Sequence, residues 1–583
     1  MKPLELRLPN GLTTIVNTVE QPSVALEETV RAYPLVRRGY AMAAAIAILG
    51  GVMPRLDHLG RSLWAAEAWV ANSVLASSWH GMFYYESWLQ TTPPLFLLLV
   101  RASVKLFGLS DYSLRAVPFL FSVAALILIA SLARKMFLAP FAVLCIALMA
   151  VSPSAILFSK ELKQYSSDVF AACMILLVLW EYLHQPDRRR YFLLLLAFTV
   201  TLPLSYTTVI FVPLALWAVG LSEPKAQLHV DQRCRIVRCG ALALLVSAIA
   251  GIDYCLFIKP NTSPLLRAFW DHAFPHFAQL RVLVRFYLGN CLAMGVYFYF
   301  PAQSSTKDTL RSLVLSLPAV IQFALGITVV LLTATLIVAL RRGRTYRLAT
   351  LFFVLPFLTL IALNMARLYP VGSRRLTLFM LPSVIIITTA SIEALWTLVL
   401  VPRLPECTAR RVLVMATVLC LLSVLVLGYR AAGWDVNWTE DEDTESAFRY
   451  LRSSVQAADT IYVHASVEEA ARLYFKMLRW NTAQVRYGNT GLPCCKRQRE
   501  VRPQDSVVLR AYVVRGFENA MTGRTPGSVW LVYTARAEHW RYLNLNEASI
   551  IQDRLQEAGC TKQHEQYFEN EVVDKYKCVS VLR

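Results

Sequence analysis

Three short stretches of this chain concentrate the groups that could do chemistry. The first begins at Asp57-His58, runs through Leu63-Trp64-Ala65-Ala66-Glu67-Ala68-Trp69, and continues with Tyr84-Tyr85-Glu86 and Gln90-Thr91-Thr92-Pro93-Pro94. Glu67 stands among Trp64, Trp69 and Val70, and so poorly solvated a carboxylate is expected to have a raised pKa, suited to taking a proton from a hydroxyl. An interfacial Glu pointing to water is the competing reading. The second stretch, Ser159 to Asp168, crowds Lys160, Glu161, Lys163, Gln164 and Tyr165 at one boundary. Two lysines there call for an anion, and a lipid phosphate at headgroup level is the natural one; the plainer reading is lysines snorkelling from a helix end. The third stretch runs from Arg367 through Tyr369-Pro370-Val371-Gly372-Ser373 to Arg374-Arg375. Arginine suits bidentate phosphate recognition, and Gly372 allows a turn that brings backbone N–H groups to an anion. A plain basic loop is the alternative.

Other chemistries lack their residues. The sequence has no GxxxxGK[ST] loop, no GxGxxG after a strand and no HExxH, so ATP hydrolysis, dinucleotide chemistry and zinc proteolysis lose support. Its 12 cysteines include no CxxC pair, so no metal site is read from them. A carboxylate and a set of cations on one face fit glycosyl transfer from a polyprenyl-phosphate sugar. The acceptor hydroxyl gives its proton to the carboxylate, and Lys and Arg stabilise the departing lipid phosphate. The sugar–lipid bond supplies the energy, so no nucleotide is required.

The elements that must position these residues are membrane spans. The chain has 583 residues, 56% hydrophobic and 17% charged, with a mean hydropathy of +0.46. Soluble domains carry roughly 25% charged residues. Apolar runs are read at 39–54, 115–133, 138–158, 168–184, 190–203, 206–221, 239–257, 317–340, 348–365, 375–400 and 411–429, about eleven crossings. Leu95–Phe107, with Arg101 and Lys105, reads as an interfacial amphipathic helix. Residues 1–38 are polar and are placed inside, with no cleavable signal peptide expected. Basic groups at Arg134–Lys135, Arg188–Arg190, Lys225 to Arg238, Arg341–Arg347 and Arg403 to Arg411 then all fall on that side. The net charge of +19 therefore sits at span ends rather than on a soluble face, which argues against nucleic acid. The same topology puts 55–114, 159–167, 258–316, 366–374 and the tail from 430 outside. The segment 258–316, with His272 and His276, is expected on the outer membrane face.

The tail, 430–583, reads as a small α/β domain. Helices are expected at Thr444–Ala457, Val467–Leu478 and Glu547–Ala558, and strands at Thr460–His464, Ser528–Tyr533 and Tyr576–Leu582. In an oxidising compartment Cys560 and Cys578 could form a disulfide; free thiols are the other reading.

At these residues the chain resembles the multispanning GT-C glycosyltransferases, in the bacterial family-39-like branch of protein O-mannosyltransferases and aminoarabinose transferases. The resemblance covers about 40–430 and rests on LWAAEAW around Glu67, QTTPPLFLLL at Pro93-Pro94, SKELKQYSSD and YPVGSRR. It implies a polyprenyl-phosphate sugar lipid as partner, an acceptor outside, and a multi-pass protein of the cell inner membrane. The family's first-loop acidic pair is Asp-Glu; here Ala66 replaces the Asp, which puts Glu67, Glu86 or Asp57 in the acid–base role. No cofactor is expected, and no divalent metal is predicted without that Asp. Glu86 and Gln90 are expected near the sugar. Lys160, Lys163, Arg367, Arg374 and Arg375 are expected on the phosphate, with Glu161, Gln164 and Tyr165 orienting the donor and Tyr369 also among the substrate-binding residues. The rivals are a transporter or lipid flippase, which Asp253 inside a span would favour, and a non-catalytic relative, which Ala66 would favour.

Overall fold

The computed structural model describes residues from 34 to 578, leaving out 86–89, 222–230, most of 263–331, 372–374, 435–442, 489–505, 523–526, 535–545 and a few single positions. Seven described helices are long and apolar enough to cross a bilayer: Arg38–Leu56, Asp111–Met136, Tyr165–His184, Arg233–Asn261, Arg344–Met365, Leu378–Arg403 and Cys407–Val426. An eighth is formed if Ala139–Ala150 and Pro153–Ser159, bent by 51°, count as one span. The protein is a polytopic membrane protein. Exposed Met42, Leu49, Leu120, Ile127, Leu244 and Leu419 lie on the outward faces of these helices, as lipid contact requires.

The count differs from the eleven runs read in the sequence for a local reason. The run at 190–203 is a helix of 14 residues, Arg188–Thr201, and 206–221 begins as a 3-10 turn over Tyr206–Phe211. Both are shorter than the roughly 20 residues a span needs. Part of the 317–340 run lies outside the described residues. Pro94–Phe107 is a separate helix opened by proline, with Phe96, Leu97 and Val100 buried.

The helix Tyr165–His184 is the centre of the bundle, with 72% of its apolar window buried, against 17% for the rim helix Arg233–Asn261. The bend after Ala150 is held by Arg55. Its guanidinium is fully buried and donates to the carbonyls of Ala150 (2.9 Å) and Met149 (3.1 Å), to Gly51 O and to Ser122 Oγ (2.8 Å). A cation at the last carbonyls of a helix is matched to the negative end of its dipole.

The tail forms a five-stranded sheet in the order β2-β1-β3-β5-β4. Its strands are β1 Thr460–Val463, β2 Val485–Tyr487, β3 Gly527–Thr534, β4 Cys560–Phe568 and β5 Glu571–Cys578. β2, β1 and β3 run parallel, with Ile461 opposite Val485 and Trp530; β5 and β4 are antiparallel to their neighbours. β1 is buried throughout, as the β-branched and aromatic run TIYV predicts. The last strand begins five residues before the expected Tyr576. Cys560 and Cys578 face each other across β4 and β5 and are joined by a disulfide. At the carboxyl end of β1, His464 links Ser466 (Nδ1···Oγ 2.8 Å) to Glu547 (Nε2···Oε2 2.9 Å), tying that strand to the helix Glu547–Glu557.

This sheet domain packs directly on the first loop. One apolar core contains Leu63, Val70, Val74, Phe96, Leu97 and Leu114 together with Phe448, Ile461, Leu473, Tyr474 and Trp530.

Candidate functional site

Glu67 occupies the first turn of the helix Ala65–Val74, which starts after extended Trp64. Its side chain is fully buried. Arg115, near the start of Asp111–Met136, grips it with Nε on Oε1 (3.0 Å) and Nη2 on Oε2 (2.7 Å). The Leu162 N–H donates to Oε1 (2.6 Å) and the Trp64 N–H to Oε2 (3.4 Å). The remaining N–H groups of Arg115 donate to the carbonyls of Leu59 (3.1 Å), Arg61 and Ser62 (3.0 Å). All five of its donors are therefore used.

This arrangement overturns the raised pKa expected for Glu67. Burial does push the carboxyl up, but the charge and hydrogen bonds of Arg115, with Arg61 and the Leu162 amide, outweigh it and hold the pKa below the usual value. A carboxylate gripped in this way is a poor proton acceptor at neutral pH. What it does is fasten three segments together: the first loop, the start of Asp111–Met136 and the stretch at Leu162.

Lys163 is the next residue. Its buried Nζ donates to Ala66 O (2.6 Å) and to Gln90 Oε1, and lies 6.0 Å from the Trp64 ring centroid. The first two sequence clusters thus converge. Trp64 and Gln90, which meet this ammonium, and Thr92, two residues beyond Gln90, each carry a buried donor without a hydrogen-bond partner: Trp64 Nε1, Gln90 Nε2 and Thr92 Oγ1. Buried polar atoms are paired in the great majority of cases, so each of these donors calls for an acceptor from outside the protein.

Lys160 is fully buried and Glu161 nearly so, at the end of the helix Pro153–Ser159. Gln164 stands at the N-cap position of the helix Tyr165–His184 without a capping side-chain hydrogen bond, and Tyr165 packs its ring against Phe158 at 5.1 Å. Asp168 accepts from Ser205 Oγ at 2.6 Å, and Tyr206 OH donates to Thr92 O at 3.1 Å. The turn 203–207 is thus a fourth contributor that the sequence reading did not single out.

The third cluster divides. Tyr369 is partly buried, donates to Leu376 O (2.7 Å), and its hydroxyl pKa is pushed well up by desolvation, then by Asp168 and Tyr165. Its ring meets Phe379 at 6.1 Å.

Comparison with known proteins now bears on this geometry. Residues 91–250 match the family model described as dolichyl-phosphate-mannose-protein mannosyltransferase. The fold is similar to that of apo ArnT from Cupriavidus metallidurans (TM-score 0.52, 11% identity, covering 92% of this chain and 98% of that one). The same protein bound to undecaprenyl phosphate gives a TM-score of 0.49 at 12% identity, with 92% and 96% covered. The archaeal oligosaccharyltransferase AglB from Archaeoglobus fulgidus, in complex with an inhibitory peptide and a dolichol-phosphate, gives 0.50 at 13% identity, with 88% and 71% covered. The fold is that of the GT-C membrane glycosyltransferases. No curated protein matches the sequence.

The remaining candidates make other contacts. Arg367, in the left-handed region at φ 57°, pairs with Asp271 and lies 5.2 Å from the Phe274 ring. Arg375 lies 5.4 Å from the Trp270 ring. Both arginines are thus engaged by residues 270–274. Arg374 and Glu86 are outside the described residues. Asp57 is half-exposed and pairs with His58 at 2.8 Å. Among the described residues no group of three or more His, Cys, Asp or Glu is placed to hold a metal. Arg115, like the turn 203–207, is not singled out by the sequence. It had been counted as the first residue of an apolar run, and its signal was a lone arginine at a span end with one unpaired glutamate upstream.

Proposed function

We propose that this chain transfers a sugar from a polyprenyl-phosphate donor to an acceptor at the outer face of the cell inner membrane. The observation that carries the reading is the group of unpartnered buried donors beside Lys163. Their chemistry suits phosphate and sugar oxygens. The GT-C fold agrees, and one similar structure, AglB, is in complex with a dolichol-phosphate. In this reading the acceptor hydroxyl attacks the sugar's anomeric carbon and the bond to the lipid phosphate breaks. Lys163, with Lys160, stabilises the phosphate that leaves. The first loop and the sheet domain face outside, and residues 1–38 face inside. Tyr165, Gln164, Glu161 and Tyr369 orient the donor, with Arg367, Arg374 and Arg375 meeting the lipid phosphate at the headgroup level. Because Glu67 is locked by Arg115, the acceptor's proton goes to Glu86 or Asp57.

The test is transfer of a radiolabelled sugar from its undecaprenyl-phosphate carrier by the purified chain in nanodiscs. Lys163→Met should abolish it. The lock on Glu67 and the presence of Ala66 favour a second reading, a non-catalytic relative that binds the lipid. Binding of undecaprenyl phosphate without transfer, with transfer gained only in Ala66→Asp, would establish that second reading.

A further inference from the structure

We propose that Glu469, in the C-terminal domain, is a positioning residue for the polar cluster at Lys163. The first loop approaches that cluster as two limbs. One limb is the helix Ala65–Val74, which carries Ala66 and Glu67. The other carries Tyr85, Gln90 and Thr92. Lys163 bridges them from the membrane helices by holding Ala66 O and Gln90 Oε1.

Glu469 bridges the same two limbs from the soluble side. Its Oε2 accepts from Asn72 Nδ2 (2.9 Å) and from Tyr85 OH (2.6 Å). Its backbone carbonyl accepts from Asn72 Nδ2 as well (2.7 Å). Asn72 lies six residues beyond Ala66 on one helix, roughly 9 Å along its axis. The spacing of the limbs is therefore set at two points, by Lys163 and by Glu469. Five residues along the helix Glu468–Met477, Tyr474 OH accepts from the Leu63 N–H (2.7 Å) and from Ser62 Oγ (3.1 Å). The same helix thus holds the first limb at both ends. Docking of the domain does not need the carboxylate, because Val70, Val74, Ala470, Ala471 and Leu473 share a buried core. What the carboxylate adds is direction: two donors from two limbs meet on one oxygen of a buried residue.

The ligand readout of this inference rests on the donor-binding reading, whereas its geometric readout does not. The experiment uses the full chain in nanodiscs, with hydrogen exchange of residues 62–95 and affinity for undecaprenyl phosphate measured side by side. Glu469→Ala should speed exchange across 62–95 by about ten-fold and weaken undecaprenyl phosphate by about five-fold or more, leaving exchange in the five strands unchanged. Glu469→Gln, which keeps a carbonyl acceptor for both donors, should restore both readouts. Tyr85→Phe should give part of the effect, and Tyr85→Phe with Glu469→Ala no more than Glu469→Ala alone. The inference is overturned if exchange at 62–95 does not change, if the strands loosen equally, if Glu469→Gln fails to rescue, or if the loop loosens while affinity holds. A wild-type chain that binds no undecaprenyl phosphate would sink the donor reading, and the exchange pattern would still decide Glu469.

Discussion

Glu67 and Arg115 meet in a bidentate pair, at 3.0 and 2.7 Å, with both side chains fully buried. Breaking one half of such a pair leaves a charge without its partner in a water-excluded site. Glu67→Gln is expected to destabilise the protein by about 3–5 kcal/mol. The double variant Glu67→Gln with Arg115→Gln should cost less than the two single changes summed. Thermal melts in detergent, followed by tryptophan fluorescence, would measure both, and additivity would count against the pair.

The same pair sets a dependence on pH. Arg115 holds the folded pKa of Glu67 below its ordinary value, so its stabilisation is complete above the unfolded value of roughly 4.3. It is lost as pH falls through the folded pKa. The melting-temperature gap between wild type and Glu67→Gln should therefore be constant near neutrality and close below about pH 4. A gap that widens on acidification would contradict the assignment.

Trp64→Phe removes one of the unpartnered donors and little else. Because Trp64 Nε1 makes no hydrogen bond in the protein, the variant should melt within about 0.5 kcal/mol of wild type. Binding of undecaprenyl phosphate, read by thermophoresis, should weaken by about three- to ten-fold, the worth of one hydrogen bond. Equal affinity in the two proteins would remove Trp64 from the site.

Lys163→Met should weaken the same ligand by more than ten-fold, because a hydrogen bond from a charged donor is worth about 1.5–3 kcal/mol. Its affinity should also lose part of its salt dependence. An unchanged salt slope would mean that the ammonium does not face the phosphate.

Cys560→Ser should remove a cross-link that closes 18 residues of chain. The expected loss is about 3 kcal/mol. Free-thiol labelling under denaturing conditions, with and without reductant, checks that the bond forms in the purified protein.

Much of this was legible in the sequence. Gln90 and Lys163, read from separate stretches, meet in a hydrogen bond, and Glu67, from the same stretch as Gln90, accepts from the Leu162 N–H beside Lys163. Arg115 was not legible, because an arginine at the head of an apolar run looks like ordinary interfacial charge until the loop that wraps it is seen. The raised pKa expected of Glu67 failed for the same reason: burial was inferred, its counter-ion was not. Arg367 and Arg375 were assigned by charge, and residues 270–274, from a segment with no readable pattern, engage them. In the tail, β1 and β3 announced themselves by β-branched runs. β4, CTKQHEQYF, did not, because an edge strand with most of its side chains exposed carries no apolar alternation.

The contacts between the first loop and the sheet domain also order events during synthesis. Asn72 finds its partner 397 residues later in the chain. At roughly 5–20 residues per second, the ribosome delivers Glu469 about 20–80 s after Asn72. Throughout that interval the apolar underside of the loop, with Leu63, Val70 and Val74, lacks its final cover. The nascent chain must therefore shelter this surface against lipid or a chaperone until the last quarter of the protein has emerged and folded onto it.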